Sequence, residues 1–177
     1  VPDITTRAYA TDDPYIYKIK GTKMFITGGD HGLCSNTIHA VLAKPEGAAP
    51  GSAGIGLYIV PKYWVNDDGS LGRYNDVATV TLEHKMGLKA QATALLNFGE
   101  EDACYGYMLG SAPDEKGRSK GLAMMFNMMN ESRIGTGHNA NCQSAAAYYF
   151  AAQYATERIQ GRPFGDKDPK APRVPII

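Results

Sequence analysis

Cysteine is scarce in this sequence: Cys34, Cys104 and Cys142 are odd in number, widely spaced and form no CxxC pair. That excludes a disulfide framework and a thiolate metal cluster, and reduced thiols in an intracellular protein are the expectation. Cys34 stays open between a reactive thiol and an inert loop or core residue. An excess of charge of either sign is missing too, with 18 basic against 18 acidic side chains. Nucleic acid is therefore not expected as a partner, because phosphate binding leaves a net basic footprint. No long charged run points to an anionic membrane surface. Apolar stretches such as Ile55–Pro61 fall far short of the roughly 20 residues that cross a bilayer, and no signal peptide is visible. A cytoplasmic location is expected. The sequence also lacks an initiator methionine, starts Val1-Pro2-Asp3 and closes on Val174-Pro175-Ile176-Ile177, which reads as an internal piece of a longer protein.

Self-sufficient catalytic motifs are absent as well. His31, His39, His84 and His138 do not have metal-ligand spacing, so no metal is expected. Gly54-Ile55-Gly56 leads into a strand rather than a helix and is no dinucleotide fingerprint. There is no nucleophile elbow and no Walker loop. Glu83 and His84 are read as neighbours on a strand and so as facing opposite sides. No catalytic residue is assigned to this chain.

What the sequence does contain falls into two halves. From Thr5 to about Gly110, short alternating runs predict strands at Thr5–Ala10, Tyr15–Lys20, Lys23–Thr27, Thr37–Ala43, Ile55–Val60, Val77–Leu82, Ala94–Phe98 and Tyr105–Leu109. Gly21 is read as a break between the second and third. Turn formers mark loops at Gly28–Asn36, Pro45–Gly54 and Asn66–Asn75. Some eight strands at this spacing predict an antiparallel sandwich or barrel, without the strand–helix alternation of a Rossmann-type sheet. From about Arg118 the period becomes helical, through Leu122, Met125, Phe126, Met129 and Ile134 to Ala145, Tyr149, Ala152 and Ala155. Proline is absent until Pro163, so one long helix near Lys120–Gln160 is predicted. Gly135 and Gly137, each about 1 kcal/mol worse than Ala in a helix, mark either a break or a face that another helix approaches. The fold class is mainly β with α: a middle β-domain at 1–116, then a long helix opening a second, helical domain at 117–177. Such a helix cannot bury its faces on the sheet alone and implies further helices or other subunits.

Three segments stand out. In Gly21-Thr22-Lys23-Met24-Phe25-Ile26-Thr27-Gly28-Gly29 a strand brings an aromatic ring and a hydroxyl to one face. The glycines that follow open a turn where backbone can approach a ligand. A ring of this kind can cover a flat heterocycle, and a threonine can donate to a ring nitrogen; strand-end punctuation explains the pattern equally. In Met128-Met129-Asn130-Glu131-Ser132-Arg133 polar residues interrupt a methionine-rich stripe, and Arg133 suits pairing with a carboxylate or a solvated face. Glu157-Arg158-Ile159-Gln160-Gly161-Arg162-Pro163-Phe164-Gly165 fits ordinary helix termination or a phosphate grip.

In this order the segments resemble the acyl-CoA dehydrogenases. The residues that carry the resemblance are Tyr17 and Gly21 to Gly29, then Gly56-Leu57-Tyr58-Ile59-Val60-Pro61-Lys62, His84-Lys85-Met86-Gly87-Leu88, Lys120-Gly121-Leu122, Arg133 and Glu157-Arg158. Thr27-Gly28-Gly29-Asp30-His31, Glu83-His84-Lys85, Met128-Met129-Asn130 and Arg158 to Arg162 resemble the branch acting on 3-methylmercaptopropionyl-CoA. The resemblance covers nearly the whole chain and implies its middle β-domain plus the first helix of the C-terminal domain.

By position, the resemblance places Phe25 against the flavin of FAD, Thr27 near flavin N5, and Ile26 as a backbone contact. It places Met129, Asn130 and Arg133 along the acyl-CoA substrate, and Arg158, or Arg162, at a neighbouring subunit's FAD. Here Arg-Ile-Gln-Gly-Arg-Pro-Phe-Gly stands where many members have Arg-x-x-Phe-Gly, which leaves the arginine open. The implied chemistry is α,β-dehydrogenation of an acyl-CoA thioester, a carboxylate base taking the α proton while the β hydride goes to flavin N5. That base is a glutamate downstream of Ile177, so the chain alone is expected to be inactive. Electron-transfer flavoprotein as acceptor and a homo-oligomer, usually a tetramer, are also implied. An acyl-CoA oxidase of the same superfamily and a non-catalytic β-sandwich binding module are the alternatives.

Overall fold

A computed structural model describes residues 1–176. In chain order it contains β1 (Arg7–Ala10), β2 (Ile16–Thr27), β3 (Ile38–Pro45), a 3-10 turn (Gly51–Gly54), β4 (Gly56–Pro61), β5 (Tyr63–Val65), β6 (Leu71–Tyr74), β7 (Val77–Leu82), β8 (Thr93–Phe98), β9 (Tyr105–Met108) and α1 (Gly121–Glu157). The chain divides into two compact units, residues 1–127 and Met128 onward, with the division inside α1.

In the first unit seven strands pair in the order β1-β3-β4-β9-β2-β8-β7, and β1 pairs with β2 as well, closing a ring. The barrel read from the sequence is therefore present. Its pairings are antiparallel except at β1–β3, where Arg7 and Ala8 run parallel to Lys44 and Pro45. β2 does two jobs. Its first half is held by β1 and β9, while residues from Gly21 onward pair with β8. Gly21, expected to break this strand, instead bends it. It adopts φ +148°, and a Cβ there would lie 2.8 Å from Thr6 Cα, so only glycine turns this corner.

Alternation sends Tyr17 and Ile19, Val41 and Ala43, Tyr58 and Val60, and Ala94, Leu96 and Phe98 into one core with Ala8, Val77, Cys104 and Met108. Small side chains stand beside large ones on the inner face of the curved sheet, as closing a sheet requires. Burial pushes the Cys104 thiol up to about 12, which keeps it unreactive. Cys34 is exposed, its Sγ 2.9 Å from the Asn36 carbonyl.

The loop expected at Asn66–Asn75 contains β6, which forms a separate hairpin with β5. Trp64 of this hairpin stacks on Tyr107 at 5.0 Å, and Arg73 lies over the Trp64 ring. Two asparagine amides stand in for strand backbone. Asn36 exchanges both bonds with Tyr63 (2.7 and 2.9 Å). Asn75 does the same with Tyr105 (2.8 and 3.0 Å) and also donates to the Pro61 carbonyl at 2.7 Å.

Lys23 is half-buried on β2, its ammonium donating to the Leu42 carbonyl at 2.6 Å. Burial lowers its pKa from 10.5 to about 8. The folded state therefore carries a penalty below pH 8 that is relieved as pH rises toward 10.5. Lys23→Met is expected to raise stability at pH 7 by on the order of 1–2 kcal/mol, discounted because the group is partly solvated. The gain should shrink at pH 10 in urea denaturation. An equal gain at both pH values would mean the charge is not its source.

The first turns of α1 belong to the β unit, with Gly121 and Met125 buried. Beyond Met128 the helix runs unbroken through Gly135 and Gly137. Two glycine costs are small beside the many bonds propagated on either side, so the break left open by the sequence does not occur. After α1 the chain folds back on itself. Ile159 bridges Pro175, and the Ile176 amide donates to the carbonyls of Ala155 (3.0 Å) and Arg158 (3.1 Å), satisfying acceptors that a helix end leaves open.

Candidate functional site

The candidate site begins where β2 ends. Between Lys23 and Ile26 the pairing with β8 slips, so that Met24 and Phe25 bulge. Phe25 takes φ +59°, which costs a residue with a Cβ on the order of 1–2 kcal/mol. The bulge interrupts the alternation assumed for this strand and leaves Phe25 66% exposed. Ile26 packs against the core. Thr27 pairs with Thr93 of β8 and is exposed, and its hydroxyl has no hydrogen-bond partner among the described residues. A large exposed ring and an uncommitted hydroxyl thus sit two residues apart at one strand end.

Beyond them a groove of about 420 Å³, mainly apolar, is lined by Gly28, His31, Leu33, Leu88, Ala90 and Ala92 with Gln91. The Gly28 amide donates to the Ala92 carbonyl (2.7 Å) and the Gly29 amide to the Ile26 carbonyl (3.2 Å). The turn's amides are therefore spent inside the protein, and side chains carry what the site offers. Glu83 and His84 lie just past the end of β7 and not on a strand.

Asp30, part of the Thr27–His31 run but given no role by the sequence, closes the turn. Its carboxylate accepts the Lys62 ammonium on both oxygens at 2.8 Å and the Thr79 hydroxyl at 2.8 Å. Burial works to raise the Asp30 pKa, but the bonds from Lys62 and Thr79 outweigh it and hold the carboxyl below its usual range. The bond to Asp30 raises Lys62 in turn. His39, on β3, is buried edge-on to Phe98 at 5.5 Å with Nε2 unpartnered among the described residues. Burial lowers its pKa, the nearby Asp30 and Lys62 acting in opposite directions. The Gly-Gly-Asp order was the one available signal for Asp30; nothing local pointed to a partner 32 positions away.

The remaining predicted residues lie in the second unit. Met129, Asn130 and Arg133 are exposed on α1, and Arg133 Nη1 donates to Asn130 Oδ1 at 3.2 Å. Arg158 directly follows the helix, and Arg162 donates to the Pro169 carbonyl. Among the described residues no group of three or more His, Cys, Asp or Glu is placed to hold a metal. No helix among them is long and apolar enough to cross a membrane.

No family model matches the chain. Individual relatives do. It is 52% identical over 174 residues to a butyryl-CoA dehydrogenase of Syntrophomonas wolfei, covering 98% of this chain and 28% of that protein. A 3-methylmercaptopropionyl-CoA dehydrogenase of Ruegeria pomeroyi is 38% identical over 165 residues, covering 93% of this chain and 26% of that protein. The chain thus spans little more than a quarter of the length of these curated relatives. Among solved structures, butyryl-CoA dehydrogenase from Megasphaera elsdenii superposes with TM-score 0.64 at 26% identity, covering 99% of this chain and 37% of that one. Acyl-CoA dehydrogenase complexed with FAD from Bacillus anthracis superposes with TM-score 0.63 at 27% identity, covering 89% and 22%. The match extends along nearly the whole of this sequence, and the chain belongs to the acyl-CoA dehydrogenase family.

Proposed function

We propose that this chain is the middle β-domain (1–116) and the opening of the helical domain (117–177) of an FAD-dependent acyl-CoA dehydrogenase. The observation that carries the reading is the exposed Phe25 ring and free Thr27 hydroxyl at the bulged end of β2, beside an apolar groove. A flat, largely apolar ring system with polar nitrogens fits such a surface, and a solved relative is complexed with FAD. Bound there, FAD supplies the two-electron acceptor for α,β-dehydrogenation of an acyl-CoA thioester.

The chain's own residues bind and orient. Phe25 covers an aromatic face, Thr27 offers a hydroxyl to a ring nitrogen, and Ile26 anchors both to the core. Met129, Asn130 and Arg133 are proposed to line the path of the acyl-CoA, and Arg158 or Arg162 to contact FAD of a neighbouring subunit in a homo-oligomer. A structure that shares the fold, ACDH-11 of Caenorhabditis elegans, is a complex with C11-CoA. Electron-transfer flavoprotein is the proposed acceptor. The base that removes the α proton is proposed to lie outside this sequence, and the chain alone to be inactive.

The test is spectroscopic. Thr27→Val in the full enzyme is expected to shift the bound flavin's absorption bands and to slow its bleaching by acyl-CoA about 10-fold or more, the scale of one lost positioned donor. Unchanged bands and bleaching with both Thr27→Val and Phe25→Ala would remove this strand end from the flavin site and favour a binding module.

A further inference from the structure

The strand end proposed to face the flavin departs from regular ladder geometry where it carries Phe25. Phe25 occupies a positive-φ conformation at a bulge, and two glycines follow Thr27. Met24 and Phe25, inside the bulge, have no partner in the ladder with β8. Ile26 and Thr27 are paired with Ala94 and Thr93 of β8, and the Gly28 amide is bonded to Ala92. Beyond the glycines a further hold is Asp30.

Asp30 is fastened to two other elements. Lys62, just past β4, reaches both carboxylate oxygens at 2.8 Å, and Thr79, on β7, reaches Oδ2 at 2.8 Å. Each partner is itself fixed. The Lys62 amide donates to the Thr37 carbonyl at 2.8 Å and its carbonyl accepts from the Asn75 amide at 2.9 Å. Thr79 is paired with Leu96 of β8, next to a second bulge before Thr81. The ion pair is only 23% exposed on either side, so solvent screens it less than a surface pair. The Lys62 ammonium acts as a point charge between both oxygens, and the Thr79 hydroxyl on Oδ2 adds a second donor from another strand.

We infer that Asp30 is a positioning residue: through Lys62 and Thr79 it sets where Phe25 and Thr27 stand, and so how tightly and in what orientation this strand end receives a flavin. The inference rests on the flavin-facing reading of that strand end given above. Asp30 acts at a distance from the flavin-facing side chains, its effect transmitted to Thr27 through the backbone of Gly28 and Gly29.

The experiment compares Asp30→Asn, Thr79→Val and the exchange Asp30→Lys with Lys62→Asp, all in the full enzyme, with Thr27→Val as the control for the reading. FAD affinity, the flavin's visible bands, melting temperature and, in the flavin-free protein, hydrogen exchange at Ile26–Gly29 are measured. Asp30→Asn is expected to weaken FAD binding 10-fold or more, to alter the bands and to speed exchange at those amides. The exchanged pair is expected to recover most of each. If Asp30→Asn does not fold, Thr79→Val, which removes one bond and no charge, decides by the same readouts with a smaller change. Unchanged affinity, bands and exchange in Asp30→Asn, while Thr27→Val alters the bands, overturns the inference and leaves the flavin reading standing. Affinity that falls only in step with melting temperature, with unaltered bands, marks a purely structural pair and overturns it too. No response of the bands to Thr27→Val strikes the flavin reading itself.

Discussion

Replacing Asn75 by Leu is expected to destabilise the β unit by about 4 kcal/mol, because the substitution strands three main-chain groups at once. Asn75 is fully buried. Its amide serves the Pro61 and Tyr105 carbonyls and accepts from the Tyr105 N–H, so it does the work of a strand residue where the chain is turning from β6 into β7. A leucine fills the volume and pairs with none of these groups, each of which costs about 1–3 kcal/mol when buried and unsatisfied. For a chain of this size that corresponds to a fall in melting temperature of roughly 10 °C or more. Asn75→Asp separates the effects, since it keeps the acceptor for Tyr105 but turns oxygen toward two carbonyls, and it should be nearly as harmful. A loss under 1 kcal/mol in chemical denaturation would show that water or a local shift replaces the bonds.

Gly121→Ala should be harmful against the usual trend. Alanine inside a helix is ordinarily better than glycine by about 1 kcal/mol, and Gly135→Ala or Gly137→Ala, with nothing within 4 Å of the added carbon, should follow that rule in this chain. At Gly121 the carbon would lie 2.4 Å from Gly56 C and from Leu57 N and 2.6 Å from Ile55 O. These are backbone atoms of β4 and the residue before it, which cannot rotate away. Overpacking of this kind costs about 3 kcal/mol, which exceeds any propensity gain and reverses the sign. Thermal melts of the three variants side by side test this: a Gly121→Ala protein as stable as Gly135→Ala would mean that the start of α1 is not seated on β4.

The strands that could be read from sequence were those whose burial is one-sided. Tyr17 and Ile19, or Ala94, Leu96 and Phe98, alternate because one face meets the core, and period-two patterning reports that directly. The β5–β6 hairpin escaped because Tyr63, Trp64, Leu71 and Tyr74 pack only partly, by ring stacking and under Arg73, and turn formers between them dominate the local signal. Gly21 was misread for a related reason: glycine marks a departure from straight strand geometry, and a break and a bend look alike without the Thr6 backbone lying against it. At the candidate site the Phe25-Ile26-Thr27 segment was visible as a local pattern. The bulge that exposes Phe25 and the Asp30–Lys62–Thr79 contact were not, since both are set by pairing across distant parts of the chain. Helix α1 was legible in extent because the helical spacing from Leu122 onward and the absence of proline until Pro163 are both local signals.

The closed ring of strands also dictates when the protein can take shape during its synthesis. β2 is made early, yet its first half needs Tyr105, Gly106 and Tyr107 of β9 and its second half needs β8, up to Phe98. Until the chain has been extended past Met108, the strand that joins both parts of the sheet lacks these neighbours, and Tyr17 and Ile19 lack much of the core they will enter. Non-local pairing of this kind is slow and leaves apolar strands unprotected in the interval. A ribosome-bound chain ending shortly before β9 therefore holds these apolar strands without their final neighbours.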